Sequence, residues 1–437
     1  MNELFRECVN ASIMKVFKFG GASVNSADAV RNMARIVQKH LESEPLVVVV
    51  SAMGKTTNNL ECLARNRFGS TVWSDCRQLV ENYHRDIARK LMPHNERVQH
   101  TIGEHLAYID QVCQNRPPDE DADEEVYAKV VTRGELLSTA IIDEYLNSLG
   151  IRSVLANAFD FIITDGSFRE ARVDWEKTLP AVQRMMRDSA GCDVVLTQGF
   201  IGSRGYHTNL PATLGREGSD YTAAILAYCL DAESVTIWKD VPGFLNADPK
   251  YFKDTVKIRQ IPYNEAIELA YYGASVIHPK TVKPLQNKGI PLHIKSFLNP
   301  RLVGSVIGDY KNISPQTPLY IFRNNQILLS IYPRDFSFIA EDNLAFIFGR
   351  LNAHGIRVNL MQNSALSFSI CVDNEEKRVK QVIADLTNKF QVRYNDNLQL
   401  VTIRFYTQEV IDSIVDGRPV LLEQRSRSTE QLVVPCR

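Results

Sequence analysis

A lysine followed closely by two glycines lies at the end of the first apolar run of the chain. The run reaches Phe17, and Lys18-Phe19-Gly20-Gly21 follows before helical spacing begins near Ser26. Two glycines between a strand and a helix let backbone N–H groups approach an anion closely. The ammonium group of Lys18 adds a compact positive charge that can reach phosphate oxygens. The pattern favours phosphate binding, although an ordinary Gly-Gly turn beside a solvated lysine has the same residues.

Three further polar clusters directly follow apolar runs. They are SAMGKTTN at 51–58, QGFIG at 198–202 and KDVPG at 239–243. Ligands of an open α/β sheet bind outside the carboxyl ends of its strands, so we expect these clusters and residues 18–21 to meet at one edge. Each cluster alone would also suit a plain turn between a strand and a helix. Their joint placement favours a shared site.

The string TLGREGSD at 213–220 is the most specific local pattern. Its glycines permit a tight backbone, and Arg216 can bind a carboxylate in bidentate fashion. Ser219 and Asp220 would open a helix that runs to Cys229. Helix capping alone would explain those two residues. It would not explain an arginine between glycines, so a functional role is favoured here.

Glu135 opens an apolar segment at 136–146. A carboxylate in the first turn of a helix complements the helix dipole, and on the residues alone that structural role is the better interpretation. The nine histidines show no ligand spacing such as HExxH, so we expect no metal catalysis by histidine and no metal site of that kind. His278, which precedes Pro279, is interpreted as structural.

The apolar runs predict short strands that are buried on both faces. They fall at 14–17, 46–50, 154–156, 194–197 and 235–238. Segments with helical apolar spacing, such as 27–41, lie between them. Alternation of buried strands and helices implies an α/β fold with a mostly parallel, doubly wound sheet.

Changes in composition indicate the domain boundaries. The charged stretch 117–125 predicts a solvated loop, and the Pro-, Gly- and Ser-rich stretch 299–318 predicts a linker. Beyond the linker the order becomes strand, helix, strand, strand, helix, which predicts an α+β module. We expect domains at 13–305 and 319–437. The second would hold one module at about 325–393 and a shortened one at about 396–437.

The overall composition is that of an ordinary globular chain. It has 437 residues, of which 44% are hydrophobic and 23% charged, and a net charge of −1. This balance predicts no nucleic-acid or anionic membrane partner. No run is long enough to span a bilayer, and Glu3, Arg6 and Glu7 interrupt any signal peptide. We therefore expect a cytoplasmic protein, for which Met14 is an alternative start.

Eight cysteines are scattered along the chain without a CxxC pair. In a cytosolic chain of this size, the pattern predicts reduced thiols and not a disulfide framework or a zinc site.

Seven strings together resemble the aspartate kinases of the amino acid kinase family, in the family's order and over nearly the whole chain. They are KFGGASV (18–24), SAMGKTTN (51–58), RGELLST (133–139), TQGFIG (197–202), TLGREGSDYTA (213–223), WKDVPGFLNADP (238–249) and YNEAIELAYYGASVIHP (263–279). The C-terminal region resembles the ACT regulatory domains attached to these enzymes. The resemblance implies an amino acid kinase fold followed by ACT-type domains.

The resemblance also implies a reaction. Such enzymes transfer the γ-phosphoryl group of MgATP to the side-chain carboxylate of L-aspartate, giving 4-phospho-L-aspartate for lysine, threonine and methionine biosynthesis. ATP and Mg²⁺ are the implied cofactors. A homodimer formed through the ACT region is the implied assembly, and we expect no appended homoserine dehydrogenase.

Residue roles follow from the matched positions. Lys18 would stabilise the transferring phosphoryl group with N–H groups of Gly20 and Gly21, and Asp220 would orient Lys18 or the metal-bound phosphates. The residues expected to bind aspartate are Thr57, Glu135, Arg216 and Ser219, with Arg216 on the α-carboxylate and Glu135 on the α-ammonium group. The residues expected to line the nucleotide pocket are Lys239, Asp240, Leu245, Lys250 and Ser275.

The chain departs from the family pattern at several positions. Many relatives have threonine at Ala22, glycine at Glu217 and an ATP-contacting lysine at Ser275. Glu217 would either weaken the charge of its arginine neighbour or point outward. Inhibitor-binding relatives often show an aspartate and a Ser-Glu pair where this chain has Asn359 and Ser364-Ala365. These two positions are our candidate regulatory residues, and lysine or threonine feedback is therefore open.

Three other functions were weighed. A catalytically weak amino-acid sensor that acts through its ACT domains would be consistent with Glu217 and Ser275. A family member acting on glutamate, acetylglutamate or a nucleotide is disfavoured, because Glu135 and Arg216 suit a free amino acid. A dehydrogenase is least favoured, because no GxGxxG follows the first strand.

Overall fold

The structure is a computed structural model that describes residues 14–41, 46–117, 120–205, 210–274, 276–335 and 338–436. The chain divides into two units. The first falls within Met1–Phe244, Lys257–Ile267 and Val276–Ile313, and the second within Leu245–Val256, Glu268–Ser275 and Ser314–Arg437. Two short segments from the first three hundred residues thus belong to the second unit.

The described residues up to Gly308 contain both strands and helices, with five helices in succession between the second and third strands. The strands are β1 (Lys15–Phe19), β2 (Leu46–Val50), β3 (Ser153–Ala156), β4 (Val194–Gln198), β5 (Ile201–Ser203), β6 (Pro211–Thr213), β7 (Ser234–Lys239), β8 (Phe244–Leu245), β9 (Lys257–Ile258), β10 (Gln260–Pro262), β11 (Leu292–Ser296) and β12 (Ser305–Gly308). The helices are α1 (Ala27–Leu41), α2 (Thr56–Arg65), α3 (Thr71–Leu91), α4 (Glu96–Gln114), α5 (Glu120–Val131), α6 (Arg133–Ser148), α7 (Trp175–Asp188), α8 (Gly218–Cys229), α9 (Tyr263–Tyr272) and α10 (Pro279–Lys288).

Eight of these strands form one sheet in the order β10-β12-β11-β7-β1-β2-β4-β3. Every neighbouring pair is parallel except β11 and β12. All five residues of β2 and all five of β4 are buried, as strands covered on both faces must be. The predicted mostly parallel α/β fold is confirmed.

The predicted burial of the third strand on both faces is wrong. Val154 and Leu155 of β3 are exposed. The strand is the last of the sheet and pairs only with β4. Apolar composition alone cannot distinguish such an edge strand from a central one.

Two predicted loops contain regular structure. Helix α5 begins at Glu120, within the charged stretch that was predicted to be a solvated loop. The predicted linker contains β12, which pairs with β10 and β11. Pairing with strands that are distant in sequence overrides the local composition in this segment.

The prediction of uniformly reduced cysteines is also wrong. Cys62 of α2 and Cys76 of α3 are joined by a disulfide, with their Cα atoms 6.5 Å apart. The five cysteines 113, 192, 229, 371 and 436 are free thiols, and Cys8 lies outside the described residues. Only the packing of two helices brings this pair together, so spacing along the chain gave no sign of it.

The C-terminal residues form one antiparallel sheet with helices. The strands are β13 (Leu319–Pro333), β14 (Val358–Asn363), β15 (Phe368–Asp373), β16 (Phe390–Arg404), β17 (Leu422–Arg425) and β18 (Thr429–Pro435), and the helices are α11 (Glu341–Ala353), α12 (Glu376–Thr387) and α13 (Gln408–Val415). The sheet order is β14-β15-β13-β16-β18-β17. The predicted α+β character is confirmed, and strands of both expected modules lie in this one sheet.

No helix among the described residues combines the length and apolar character that a membrane crossing requires.

Candidate active site

A cavity of about 590 Å³ lies at the carboxyl ends of four strands of the first unit. Strands β7, β1, β2 and β4 are parallel neighbours, so their ends meet at one edge of the sheet. Each of the four polar clusters found in the sequence contributes lining residues. The expected site residues that line the cavity are Lys18, Gly21, Thr57, Glu135, Arg216, Ser219, Asp220 and Lys239.

Two lysines flank one buried carboxylate in this cavity. Lys18 Nζ lies 2.6 Å from Asp220 Oδ1, and Lys239 Nζ lies 3.5 Å from Asp220 Oδ2. Asp220 is only 2% exposed. Burial alone would raise the pKa of Asp220, but Lys18 and Lys239 outweigh that effect and the pKa is lowered. Asp220 is therefore ionised and holds both ammonium groups at adjacent strand ends.

The two glycines after β1 bring the chain close to the loop after β2. A Cβ atom added to Gly21 would lie 2.8 Å from the carbonyl oxygen of Ala52, which leaves no space for a side chain. Gly54 N–H donates to the carbonyl of Gly21 at 3.0 Å. A short 3₁₀ turn at Gly21–Val24 then leads into α1. The Gly-Gly segment thus lets two polar loops line one cavity.

Glu135 presents a buried carboxyl group in the first turn of α6. It is 4% exposed, and its Oε1 accepts a hydrogen bond from Ala52 N–H at 3.2 Å. Its Oε2 is buried and has no hydrogen-bond partner among the described residues. Burial raises the pKa of Glu135 to about 8. The group can therefore accept a cation from a ligand, and it is mainly protonated near neutral pH without one.

Arg216 and Glu217 lie on a tight turn before α8. Gly215 has φ 77° and Glu217 has φ 53°, a left-handed conformation that strains a residue with a side chain. Arg216 is exposed, and no described carboxylate lies within ion-pair distance of its guanidinium group. Glu217 also lines the cavity, so its carboxylate does not point outward.

The carboxylate of Glu217 is electrostatically unusual. Its Oε2 is buried and has no hydrogen-bond partner within the described part of the chain. Burial raises the pKa of Glu217, Lys239 opposes the rise, and Asp220 adds to it. Lys18 and Arg216 also oppose the rise, so this carboxyl group lies near three cations while its Oε2 accepts no hydrogen bond from the described residues.

Several expected site residues do not line this cavity. Gly20 and Asp240 belong to the first unit but are not among the lining residues. Leu245 and Lys250 belong to the second unit. Ser275 lies outside the described residues.

The two candidate regulatory residues lie in the second unit. Asn359 on β14 accepts a hydrogen bond from Arg323 at 2.8 Å and donates to Gln326 Oε1 at 2.8 Å. The hydroxyl oxygens of Ser364 and Ser367 are 2.8 Å apart and share a hydrogen bond. Both side chains are thus engaged within the unit.

Four lining residues lie outside every motif found in the sequence. They are Glu61, Tyr127, Arg169 and Glu170. Phe200 also lines the cavity and lies in the polar cluster after β4, although it was not predicted as a site residue. Tyr127 comes from α5, whose start was predicted to be a loop, and nothing local in the sequence shows that segment 168–171 reaches the same cavity.

The arrangement suits two anionic ligands that meet at a phosphoryl group. Lys18 and Lys239 offer positive charge at the strand ends, and Arg216 offers a guanidinium group for a carboxylate. Glu135 offers an acceptor for an ammonium group. Fold and cavity together are those of an amino acid kinase.

Comparisons with known proteins agree with this class. A model of the amino acid kinase family matches residues 14–296. Aspartokinase 1 of Arabidopsis thaliana chloroplasts is 31% identical over 388 residues, which cover 87% of this chain and 67% of the relative. This chain thus spans about two thirds of that relative's length. Lysine-sensitive aspartokinase 3 of Escherichia coli is 30% identical over 400 residues, covering 89% of this chain and 86% of the relative.

A solved structure extends the likeness to both units. Escherichia coli aspartokinase III in complex with aspartate and ADP has a TM-score of 0.80 and 27% identity, covering 97% of this chain and 96% of that one. The chain belongs to the aspartokinases of the amino acid kinase family.

Proposed function

We propose that the chain transfers the γ-phosphoryl group of MgATP to the side-chain carboxylate of L-aspartate, forming 4-phospho-L-aspartate and ADP. The observation that carries the proposal is that Lys18, Lys239 and Asp220 share one cavity with Arg216 and Glu135. This combination offers charge for a polyphosphate and opposite charges for the two ends of an amino acid. The likeness to aspartokinases supports the same substrates.

The two lysines would face the phosphates. Lys18 would neutralise charge on the transferring phosphoryl group, and Lys239 would bind the nucleotide at the neighbouring strand end. Asp220, which holds both ammonium groups, fixes their positions before the substrates arrive. The N–H groups of Gly20 and Gly21 would add donors for the phosphate oxygens. We further propose Asp240, Leu245, Lys250 and Ser275 as nucleotide contacts, on the strength of the matched motifs.

The other lining residues would orient the amino acid. Arg216 would bind the α-carboxylate through parallel N–H donors. Glu135 would accept the α-ammonium group, which supplies the cation that its unpartnered Oε2 lacks. The hydroxyl groups of Thr57 and Ser219 would bind the remaining carboxylate oxygens.

We also propose that a magnesium ion binds here together with the nucleotide. Asp220 and Glu217 offer carboxylate oxygens one turn apart, and Glu217 Oε2 is buried without a partner among the described residues. The described residues hold no group of three or more side chains able to bind a metal, so nucleotide phosphates would complete the shell, as Mg²⁺ prefers. When bound, the ion neutralises phosphate charge.

The transfer itself needs no covalent enzyme intermediate. An oxygen of the aspartate side chain attacks the γ-phosphorus while the bond from that phosphorus to the β–γ bridging oxygen breaks, and ADP leaves with the bonding electrons. Catalysis then consists of alignment and charge neutralisation.

The proposed activity also implies a cellular location, an assembly and a biosynthetic role. We propose that the enzyme is cytoplasmic, forms a homodimer through its second unit and supplies the acyl phosphate for lysine, threonine and methionine biosynthesis. Light scattering of the purified protein tests the assembly, since a monomer at working concentration would exclude the dimer.

Hydroxylamine trapping tests the activity. Purified protein, MgATP and L-aspartate should give aspartyl hydroxamate, whereas L-glutamate and acetylglutamate should give little. Hydroxamate from another acceptor but none from aspartate would overturn the proposal. Tight aspartate binding without turnover would instead indicate an amino-acid sensor.

A further inference from the structure

A second arginine, Arg169, lines the cavity together with Arg216, and the proposed transfer leaves it without a role. The two arginines come from distant parts of the sequence. Two backbone hydrogen bonds join their segments, from Ala171 N–H to the carbonyl of Thr213 at 2.9 Å and from Thr213 N–H to the carbonyl of Phe168 at 2.8 Å. The backbone therefore holds residues 168–171 beside the turn that carries Arg216.

Glu170 and Gly215 bring segment 168–171 into close contact with the turn that carries Arg216. Glu170 has φ 48°, a strained left-handed conformation. A Cβ atom added to Gly215 would lie 2.8 Å from the side chain of Glu170, so only glycine permits this approach. The segment is thus packed against the turn immediately before Arg216.

Helix α5 fixes the guanidinium group of Arg169. The group lies 3.5 Å above the ring centre of Tyr127, and Arg169 Nε lies 2.6 Å from Glu124 Oε2. The hydroxyl of Tyr127 donates to Glu61 Oε1 at 2.8 Å. Burial and Glu61 raise the pKa of Tyr127 to about 12, so this hydroxyl stays protonated. The arginine is therefore oriented before any ligand binds, which lowers the entropy lost on binding.

The anchored guanidinium group still has donors to offer. Arginine carries five N–H donors, and one carboxylate accepts at most two of them in the bidentate arrangement. Glu124 therefore leaves donors on Arg169 for a second acceptor. Because Arg169 lines the cavity, an anion bound there is the natural second acceptor.

We propose that Arg169 binds the α-carboxylate of the amino acid together with Arg216, as the second arginine of a clamp. The inference rests on the proposed function, and it adds a binding residue to that site. The α-carboxylate is favoured over the side-chain carboxylate for two reasons. The side chain must face Lys18 and the phosphoryl group, and Arg169 lies on the segment hydrogen-bonded to the strand that leads to Arg216.

Substitution of Arg169 should change the KM for L-aspartate much more than the KM for MgATP. Loss of a hydrogen-bonded charged group should raise the KM for L-aspartate in Arg169→Gln by about 10- to 100-fold. The KM for MgATP should stay close to the wild-type value, because the nucleotide is bound by other residues. Arg169→Lys should recover only part of the loss, since lysine keeps the charge but lacks the planar fork. Arg172→Gln is the matched control, because Arg172 is exposed and does not line the cavity.

A comparison of two ligands tests the contact itself. Calorimetry should measure the binding of L-aspartate and of L-isoasparagine, whose α-carboxylate is an amide, to the wild type and to Arg169→Gln. We expect the variant to lose affinity for L-aspartate by the fold-change above and to differ little from the wild type with L-isoasparagine. An equal loss for both ligands, or no loss for L-aspartate, would overturn the inference.

Two further measurements distinguish a structural role of Arg169, failure of the clamp and failure of the proposed function. A purely structural role would lower the thermal midpoint of Arg169→Gln and affect both ligands equally. A wild type that makes no aspartyl hydroxamate would refute the proposed function itself. An active wild type with an unaltered Arg169→Gln variant would refute the clamp alone.

Discussion

Lys18 is the residue on which the proposed transfer depends most. Lys18 is 8% exposed, and its Nζ lies 2.6 Å from Asp220 Oδ1. Removing one preorganised charge-stabilising group typically lowers kcat by about 100- to 1,000-fold, and we expect that loss in Lys18→Met. Steady-state kinetics of the hydroxamate reaction measure it.

Lys15 provides the matched control for this prediction. It lies on the same strand, and its ammonium group pairs with Glu233 at the surface at 3.5 Å. Lys15→Met should keep wild-type turnover. Near-full turnover in Lys18→Met would refute the role assigned to that lysine.

Glu135 should make aspartate binding depend on pH. Burial raises its pKa from the ordinary value of 4.5 to about 8, so the empty site is mainly protonated near neutral pH. The ammonium group of aspartate binds the ionised carboxylate, so binding should release a proton below about pH 8. Calorimetry in buffers of different ionisation enthalpy measures that proton.

The sign of this linkage is fixed by the direction of the shift. As the pH rises toward about 8, less free energy is spent on deprotonating Glu135, so the affinity for aspartate should rise and then level off. Glu135→Gln cannot release the proton and serves as the control. Binding heats that are the same in every buffer would contradict the assigned role.

Some residues of the candidate site could be predicted from the sequence alone, and others could not. Lys18 and Arg216 could be found from their neighbours, because glycines beside a cation are informative in themselves. The role of Glu135 came only from the family resemblance, since a glutamate in a first helical turn has an adequate structural explanation. Arg169 could not be found, because its place depends on contacts with Thr213 and Tyr127, both of which are distant from Arg169 in sequence.

At the scale of elements, the disulfide between α2 and α3 should stabilise the first unit. Cys62 and Cys76 are 14 residues apart, and a loop of this length corresponds to about 3 kcal/mol of stabilisation in the chain-entropy model. Denaturant unfolding should show that loss in a variant carrying both Cys62→Ser and Cys76→Ser.

The redox dependence provides the control. A reductant should lower the stability of the wild type and leave the double variant unchanged. Cys192→Ser, which alters a free thiol, should behave as the wild type does. If the reductant leaves the wild-type midpoint unchanged, the two thiols are not bonded in solution.

The elements themselves were predicted best where burial is complete. Strands β2 and β4 stand out as apolar runs because both of their faces are covered. Strand β12 lies in a stretch rich in Pro, Gly and Ser that was predicted to be a linker. It forms because its backbone pairs with β10 and β11. Local composition cannot report such long-range pairing.

At the scale of the whole molecule, lysine should not inhibit this enzyme. A buried ammonium group needs a paired carboxylate. Asn359 offers an amide that is already bonded to Arg323, Gln326 and Asp373, and the Asp373 carboxylate also accepts from Gln326. Ala365 offers no polar side chain. Turnover should therefore stay constant as lysine is added, and assays with threonine and methionine provide the comparison. Inhibition by millimolar lysine would show that other residues form an effector site.

The sequence predicts domains at 13–305 and 319–437, and these bounds stay a prediction. The change from buried parallel strands to an α+β pattern indicated a second region after residue 318. Nothing in the sequence indicated that Leu245–Val256 and Glu268–Ser275 belong to the second unit, because tertiary contacts alone assign them.

Isotope labelling identifies the oxygen atom of aspartate that attacks phosphorus. L-Aspartate labelled with heavy oxygen in its side-chain carboxylate should give an acyl phosphate whose phosphorus NMR signal shows the isotope shift of a labelled bridging oxygen. Label in the α-carboxylate should give no shift. An unshifted signal from the side-chain-labelled substrate, or no acyl phosphate signal at all, would contradict the account.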